Sequence, residues 1–419
     1  MNRYLILGNG FDLAHNLPTS YKDFLFVCAE YIELNHTIRV KNENIDKVKN
    51  GFIRKYKDDS NFKRLVKNNF WLKNFFNKLE NIGDNWIDFE IEIKNQCESL
   101  AKNINHTFID LGSNKVSLND LKESLRELIY ILNRYLVIVN KIEIDECYLD
   151  VINFMPTHII NFNYTNTFSR AYKKLEIDYI HGSIDNQDNS TIVLGFEGMN
   201  DEKRDIEFGE FLKYIQMVQN DITIDCYAEM QKTNNNESTF FGHSLDETDK
   251  DIIMKIIECS SRVNILYKDN DMKKSIIKNL IKIYGRKDFV TLTLSKDKKI
   301  NFIEQSNSQV GKKEDIELIY AICQGKAEKL LNKFVFGQTS KFLFDQYKIN
   351  MIPIETLYNY VVKQEVVSTE YLYLLNYCIN RLEKIEELSY RSKRERNLLI
   401  RKMIKFTEEF DEKRIKIIA

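Results

Sequence analysis

The ten residues RYLILGNGFD, Arg3–Asp12, decide the fold class, because they join a buried strand to a turn with two glycines. Tyr4–Leu7 is a short apolar run, which is typical of a strand covered on both faces. Gly8-Asn9-Gly10 follows at its carboxyl end, where ligands bind in open α/β sheets. Small residues there let a phosphate approach the backbone, so this turn is a candidate phosphate loop. The dinucleotide fingerprint is incomplete, since Leu13 stands in place of its third glycine.

Glycine and proline are scarce along the rest of the chain. The 419 residues include 14 glycines and 3 prolines, against about 7% and about 5% in average proteins. This scarcity excludes collagen-like and low-complexity sequences, and it disfavours an all-β sandwich with its frequent turns. Six glycines fall just after predicted strands and mark a candidate binding cleft: Gly8, Gly10, Gly182, Gly195, Gly198 and Gly242.

Charge and cysteine spacing exclude several classes of protein. The 61 Lys and Arg residues nearly balance the 62 Asp and Glu residues, so no overall surplus points to nucleic acid or an acidic membrane. The scattered cysteines exclude a CxxC zinc or redox motif and are typical of buried thiols in a reducing compartment. There is no signal-peptide pattern and no long apolar run. We therefore expect a cytoplasmic protein without a membrane partner.

Short strands that alternate with helices predict an α/β domain with a mostly parallel sheet over residues 1–311. Ser20 with Asp23 predicts a capped helix start, and the glycine-poor block from about 21 to 150 is predicted to be a large helical insertion. Residues 312–419 are predicted to be a helical C-terminal region. After the first strand, further strands are predicted at Thr157–Asn161, Ile177–Ile180, Thr191–Leu194, Ser238–Phe241, Val263–Tyr267, Phe289–Leu294 and Ile300–Ile303.

Polar residues follow two of these strands and are candidates for chemistry. Asn163 begins the string Asn163–Asn166, and its amide can both donate to and accept from ribose hydroxyls. Capping of the next helix by Thr165 or Asn166 is the alternative. His181 precedes a glycine at a strand end and can exchange a proton near neutral pH, although a lone histidine is more often a structural hydrogen-bonding group.

A third strand end carries Gly242-His243-Ser244, which predicts contacts to a second phosphate or a ribose. In the alternative interpretation, Asp246 or Asp249 only caps the following helix.

Two charged segments suggest other functions. Asp88, Glu90 and Glu92 alternate in one string, and such carboxylates on a strand, or Asp88 with Glu92 on a helix, can bind Mg²⁺ in a nuclease. A solvated helix face is the alternative. The segment 390–405 could contact nucleic acid or an acidic partner, or form a charged helix face or oligomer seam. Its basic residues are Arg391, Lys393, Arg394, Arg396, Arg401, Lys402 and Lys405.

The string ILGNGFDLAHNLPTSYKDFL, Ile6–Leu25, closely resembles the signature of the bacteriophage abortive infection AbiH family. The segments WIDFE (86–90), FNYTNTF (162–168), YIHGS (179–183) and FGHSLDETD (241–249) are similar to other landmarks of that family. The resemblance covers roughly residues 1–310. It implies a role in phage defence by abortive infection.

The same landmarks resemble, more distantly, the sirtuin-like fold. The matching order is the Gly8–Gly10 loop with Pro18, then Asn163, then His181-Gly182, then Gly242-His243-Ser244. This resemblance implies a Rossmann-like site for NAD and, in the defence relatives, cleavage of the nicotinamide–ribose bond. Thr165 departs from the pattern, where an acidic residue is often found. The chain also lacks a four-cysteine zinc module, so protein deacetylation is not expected.

The resemblance implies a catalytic role for His181 as general base and for Asn163, which would orient the ribose or the attacking water. Expected contacts to the nucleotide come from Gly8, Asn9, Gly10, Asp12, Gly182, Gly242 and Ser244. Second-rank candidates are His15, Asp88, Glu90 and Asp246. NAD or a related nucleotide is the expected substrate or ligand, and no cofactor or metal is required.

The expected partners are a phage component as trigger and further copies of the chain in a homo-oligomer. Binding of nucleic acid is left open. Two alternatives to nucleotide hydrolysis also stay open at this point: a metal-dependent nuclease effector, and a non-catalytic nucleotide sensor or interaction protein.

Overall fold

The structure is a computed structural model, and its described residues fall in ranges separated by gaps. They are 2–78, 86–102, 108–111, 114–144, 147–154, 156–172, 175–184, 190–199, 201–233, 235–305, 309–310, 394 and 397–405. Side chains of 86–88, 108–115, 147, 149, 152–153, 227 and 309–310 are not described.

Six strands form one sheet in which all neighbours are parallel. The described strands are β1 (Asn2–Leu7), β2 (Phe108–Leu111), β3 (Asn114–Ser117), β4 (Cys147–Tyr148), β5 (His158–Asn161), β6 (Ile177–Tyr179), β7 (Asn236–Phe241), β8 (Arg262–Tyr267), β9 (Ile300–Glu304) and β10 (Gln309–Val310). The large sheet has the order β6-β5-β1-β7-β8-β9. Leu7 lies opposite Asn161 and Phe241, so the segments that follow these three strands emerge side by side.

The helices cover most of the chain between β1 and β5 and separate the later strands. Their bounds are α1 (Asn9–Ala14), α2 (Tyr21–Tyr31), α3 (Ile45–Tyr56), α4 (Ser60–Asn68), α5 (Phe70–Lys78), α6 (Trp86–Lys102), α7 (Leu118–Val139), α8 (Leu149–Phe154), α9 (Thr167–Ala171), α10 (Glu202–Glu207), α11 (Lys213–Gln219), α12 (Asp225–Met230), α13 (Lys250–Glu258) and α14 (Asn270–Leu294). Short 3-10 helices cover Gly209–Phe211 and Glu247–Asp249. None of the described helices is long and apolar enough to cross a membrane.

The mixed α/β class and the parallel sheet are confirmed. The predicted helix start at Ser20 is also confirmed, because the Ser20 hydroxyl accepts from the Asp23 N–H at 3.1 Å and the Ser20 N–H donates to the Asp23 carboxylate at 3.1 Å. This reciprocal capping box satisfies two backbone donors that would otherwise be unpaired. The sequence prediction missed α1, which begins directly after Gly8.

Two predicted strands are wrong. Thr191–Leu194 is not a strand, because its backbone pairs with the loop after β6, where Val193 N–H donates to the His181 carbonyl at 2.9 Å. Phe289–Leu294 belongs to α14 instead. The Thr293 hydroxyl donates to the Phe289 carbonyl at 2.7 Å, and this bond back along the helix suits a β-branched residue that the pattern had assigned to a strand.

Among the described residues, buried side chains form two large apolar cores. Helices α2 to α7 share a core rich in aromatic side chains, such as Phe24, Phe52, Trp71 and Tyr135, all of which are fully buried. A second core joins strand residues such as Ile6 to side chains of α13 and α14. Burying one such side chain stabilises the fold by ~1.5–3 kcal/mol, so each core is large enough to order its own layer.

The chain divides into two compact units. One comprises Met1–Ile144, Pro156–Arg170 and Lys174–Gln305 and contains the large sheet. The other comprises Asp145–Met155, Ala171–Lys173 and Ser306–Ala419, and in it β4 pairs with β10 in antiparallel fashion. Of the predicted helical region 312–419, residues 394 and 397–405 are helical and the others lie outside the described residues.

Candidate functional site

A cavity of about 440 Å³ lies beyond the carboxyl ends of β1, β5 and β7, a volume within the usual range for small-molecule sites. The segments after these strands and after β6 supply one part of its lining: Gly8, Asn9, Gly10, Asp12, Phe162, Asn163, Tyr164, Thr165, His181, Gly242, His243 and Ser244. The helical insertion adds Glu90 and Leu136, and the first turns of α14 add Asp271, Met272, Ser275 and Ile276. The sheet edge and the insertion thus build one site.

Most predicted site residues meet in this cavity. Both predicted catalytic residues, Asn163 and His181, line it together with most of the predicted nucleotide contacts. Gly182, His15 and Asp246 are not part of its lining. Asp88 lies in α6, and its side chain is outside the described residues.

Backbone contact between two turns explains the glycines at the strand ends. A Cβ on Gly10 would lie 2.7 Å from Gly242 Cα, and one on Gly8 would lie 2.5 Å from His243 Cα. Gly10 N–H donates to the Gly242 carbonyl at 2.8 Å, and Gly8 N–H donates to the Phe241 carbonyl at 3.0 Å. The N–H groups of these two glycines therefore bind carbonyl oxygens of the chain, and the predicted phosphate contacts cannot use them.

The other predicted positions outside the cavity have structural partners. Gly182 has a φ of 72°, and a Cβ there would meet the Thr191 carbonyl oxygen at 1.9 Å. His15 Nδ1 lies 2.7 Å from the Phe11 carbonyl oxygen, and burial lowers its pKa to about 4. Asp246 caps the short helix Glu247–Asp249, which is the alternative that the sequence had left open.

A buried polar group surrounds Asp12 on one side of the cavity. Thr165 Oγ1 donates to Asp12 Oδ2 at 2.5 Å, so the Thr165 hydroxyl holds this carboxylate. Asn163 Nδ2 donates to the Gly8 carbonyl at 3.0 Å and lies 3.4 Å from Asp12 Oδ1. Burial raises the pKa of Asp12 to about 6. This carboxyl group therefore titrates close to neutral pH.

A charged cluster lies on the other side of the cavity. His181 Nε2 is 2.9 Å from Asp249 Oδ1, and Lys213 Nζ is 3.0 Å from the same oxygen. Lys213 Nζ also forms an ion pair with Glu90 Oε2 at 2.9 Å. The ammonium group thus joins a carboxylate of α6 to the carboxylate that holds the cavity histidine.

The charges in this cluster are set by burial and by Lys213. Burial opposes ionisation of Asp249, but the Lys213 ammonium and His181 hold the pKa of that carboxyl well below its usual range. Burial raises the pKa of Glu90 above its ordinary value in spite of the same ammonium. Burial also acts against Lys213, yet the two carboxylates raise its pKa overall. The ionised Asp249 can only accept hydrogen bonds, so His181 carries its proton on Nε2.

His243 is an uncharged residue in the lining of the cavity. Leu245 N–H donates to His243 Nδ1 at 2.9 Å, which leaves the proton on Nε2, 4.0 Å from Asp249 Oδ2. Burial lowers the pKa of His243 to about 4. It therefore stays uncharged at pH 7, and His181 is the cavity histidine with a bonded carboxylate.

Sequence reasoning missed Lys213 and the bridging role of Asp249. Lys213 begins a short helix with no pattern that distinguishes it from other lysines, although its side chain is only 5% exposed. Asp249 lies in the FGHSLDETD segment, where only a capping role was foreseen. No sequence signal links it to Lys213, since the two residues meet only through the fold.

The alternating carboxylates lie on a helix, so the strand version of the nuclease hypothesis is wrong, whereas its helix version, Asp88 with Glu92, needs a side chain outside the described residues. Glu90 and Glu92 lie on the helix α6, where Glu90 reaches Lys213 and Glu92 accepts instead from Asn74 at 3.0 Å and Gln96 at 2.7 Å. Within the described ranges, no three His, Cys, Asp or Glu residues are grouped so that they could hold a metal ion.

Comparison with protein-family models matches residues 4–268 to the model described as bacteriophage abortive infection AbiH. The match covers more than half of the chain and contains every predicted site residue. It confirms the resemblance seen in the first 25 residues. No curated protein and no solved structure matches the chain.

Proposed function

The chain belongs to the bacteriophage abortive infection AbiH family, and from this membership we propose that it hydrolyses the N-glycosidic bond of NAD or a related compound to arrest the infected cell. Family membership supports antiphage defence by abortive infection. The proposed chemistry rests on one observation, which is the pairing of His181 with the ionised Asp249 at the wall of the cavity that Asn163 also lines.

Sheet topology supports a site for a nucleotide-like ligand. Numbered by their position in the chain, the six strands run 3-2-1-4-5-6 across the sheet, which is the order of doubly wound dinucleotide-binding sheets. The order reverses between β1 and β7, and ligands bind at such switch points in open α/β sheets. The cavity lies at this point. These features favour a Rossmann-like site, with the sirtuin-like likeness as the more specific part of the proposal.

The arrangement around His181 suits a general base. Because Nε2 donates to Asp249, Nδ1 is the nitrogen that accepts a proton, and no described residue hydrogen-bonds it. A water molecule would attack C1′ of the ribose and give its proton to Nδ1, while the glycosidic bond breaks and the base leaves with the electron pair. For a nicotinamide base the leaving group becomes neutral, so no acid is needed. Asn163 would orient the ribose hydroxyls.

The test measures nicotinamide release from NAD by the full-length protein, both purified and in phage-infected cells. His181→Ala should lower the rate by about 10²–10⁴-fold, the usual contribution of a general base, and should abolish protection against phage. His36→Gln is the matched control, because His36 pairs with Glu30 and lies outside the cavity. Protection that survives His181→Ala, or tight binding of NAD without turnover, would refute hydrolysis and favour the sensor alternative.

A further inference from the structure

The lining of the cavity is acidic. Asp12, Glu90 and Asp249 line its interior and Asp271 lies at its mouth, whereas none of the lining residues in the described part of the chain is Lys or Arg. Lys213 compensates one charge of the pair Glu90 and Asp249. Asp271 forms an exposed ion pair with Lys274 at 2.9 Å. These four carboxyl groups are therefore paired with only two ammonium groups, so the cavity has a surplus of acidic groups.

Asp12 is the main source of that surplus. Its hydrogen bonds come from neutral donors, among them Thr165 and Asn163. Arg170 acts on it electrostatically, but the Arg170 guanidinium donates to Asn140 Oδ1 and to the Ile142 carbonyl. Since burial raises the pKa of Asp12 only to about 6, its carboxylate is mostly ionised at neutral pH.

Four backbone N–H groups next to the cavity are already hydrogen-bonded within the chain. Besides Gly8 and Gly10, Phe11 N–H donates to the Gly8 carbonyl at 2.9 Å. At the start of α14, Met272 N–H donates to Asp269 Oδ1 at 2.8 Å. A phosphate group needs such donors or a cation. These residues supply no cation, and their N–H groups are already hydrogen-bonded, so they do not provide a phosphate site.

Two of the helix starts beside the cavity, those of α1 and α14, carry acids in their first turns. Asp12 lies in the first turn of α1, a helix of only six residues, and Asp271 lies in the first turn of α14. A carboxylate there uses the favourable end of the helix dipole and repels a second anion. In phosphate-binding sheets this same position serves the ligand's phosphates, so the cavity has the opposite electrostatic character.

From these observations, and resting on the proposed hydrolysis, we infer that the substrate class of this cavity is an N-riboside with a cationic base, and that phosphates weaken its binding. The oxocarbenium-like ribose of the transition state is positive, so nearby carboxylates stabilise it. Met272 and Ile276 give the cavity an apolar wall, which suits the flat face of a base. Nicotinamide riboside, a cationic N-riboside, represents this class.

The experiment compares nicotinamide riboside, nicotinamide mononucleotide and NAD as substrates of the full-length protein. We expect kcat/KM for nicotinamide release to fall by about tenfold or more when one phosphate is added, since like charges repel strongly in a partly buried site. The difference should shrink as salt is raised. Equal or better turnover of the mononucleotide or NAD would overturn the inference while leaving the proposed hydrolysis intact.

Release of nicotinamide from none of the three compounds, by the purified protein or in extracts of phage-infected cells, would refute the proposed hydrolysis instead. Calorimetric Kd values for the same compounds then test, without turnover, whether phosphates weaken binding. Binding of the riboside about tenfold tighter than the mononucleotide would support the inference, and the reverse order or no binding of the riboside would overturn it.

Variants of the acidic lining test whether its charge causes the preference for the riboside over the mononucleotide. Asp12→Asn should reduce the preference for the riboside over the mononucleotide several-fold, because it removes the interior charge and keeps the shape. Asp271→Asn at the exposed mouth provides a second variant that cannot disturb the core, and it should change the preference in the same direction but less. Asp288→Asn, at an exposed position of α14 beyond the kink at Gly285, is the control and should leave the preference unchanged. An unchanged preference in both cavity variants would contradict the inference.

Discussion

Lys213 is the residue on which the charged side of the cavity depends. Its ammonium forms ion pairs with Glu90 and Asp249, and its side chain is only 5% exposed. A buried ion pair contributes little net stability, because desolvation of the charges offsets their attraction. Loss of one partner is costly, however, since the remaining charge stays buried and unpaired. Lys213 thus keeps Asp249 ionised, and Asp249 in turn holds His181.

Replacement of this lysine tests the cluster. Lys213→Met should lower the free energy of unfolding by about 3–5 kcal/mol, measured by urea denaturation, because two carboxylates lose their cation. Addition of Glu90→Gln should recover part of the loss. Lys203→Met, at an exposed position of α10, is the control and should change stability by no more than about 0.5 kcal/mol. A loss for Lys213→Met as small as that of the control would show that the cluster is not closed as described.

At the scale of elements, the cavity depends on two turns whose backbones are in contact. The turn after β1 and the turn after β7 approach so closely that only glycines fit between their backbones. On the opposite side, α6 of the helical insertion carries Glu90 to Lys213 at the start of α11. The site is therefore built from the sheet edge and the insertion together, and neither part supplies it alone.

Gly242 and Gly285 have nearly equal φ angles but different surroundings. Replacing each of them therefore distinguishes the cost of close packing from the cost of backbone conformation. Gly242 has a φ of 67° and a Cβ there would lie 2.2 Å from Phe11 N, whereas Gly285 has a φ of 72° with nothing within 4 Å of a Cβ. Gly285 has a ψ of 162°, a backbone conformation that is essentially restricted to glycine, so Gly285→Ala should cost only this backbone strain, about 1–3 kcal/mol. Gly242→Ala should cost clearly more, because the turn after β1 must move. Thermal and urea unfolding measure both, and equal losses would contradict the contact.

The stability of the whole molecule depends on pH through three buried groups whose pKa values are shifted in opposite directions. Asp12 has its pKa raised from 3.8 to about 6, so between these values the folded chain binds a proton that the unfolded chain has released. Its contribution to stability is present below pH 4 and is lost as pH rises through 6. His15 and His243, with pKa values lowered to about 4, act in the reverse sense and lose stability as pH falls.

A difference between variants isolates the contribution of Asp12 from that of the histidines. The free energy of unfolding of Asp12→Asn minus that of the natural chain should rise by about 2.5 kcal/mol between pH 4 and pH 7, since most of a shift of about two pKa units falls within this range. Urea denaturation at several pH values measures it. A difference that stays flat with pH would mean that Asp12 is not buried as an acid in the folded chain.

Local patterns were sufficient for much of the fold. Apolar runs predicted β1, β5, β7 and β8, and the Ser20–Asp23 pair predicted the start of α2, because these signals act between residues close in the chain. The strand predicted at Phe289–Leu294 was wrong for the same reason, since β-branched residues favour strands locally but here lie in the helical stretch of α14 that follows a kink at Gly285. Prediction at that segment would have needed its packing partners.

The sequence by itself determined the family, the parallel α/β class, and the strand ends at which Asn163 and His181 lie. Each follows from short motifs, whose residues are neighbours along the chain. Only the tertiary structure decided that Glu90, Lys213 and Asp249 form one cluster beside His181. It also decided that the strand-end glycines serve backbone contact. The physical reason is that burial and charge pairing act through space between distant segments, and they leave no periodicity or spacing in the sequence.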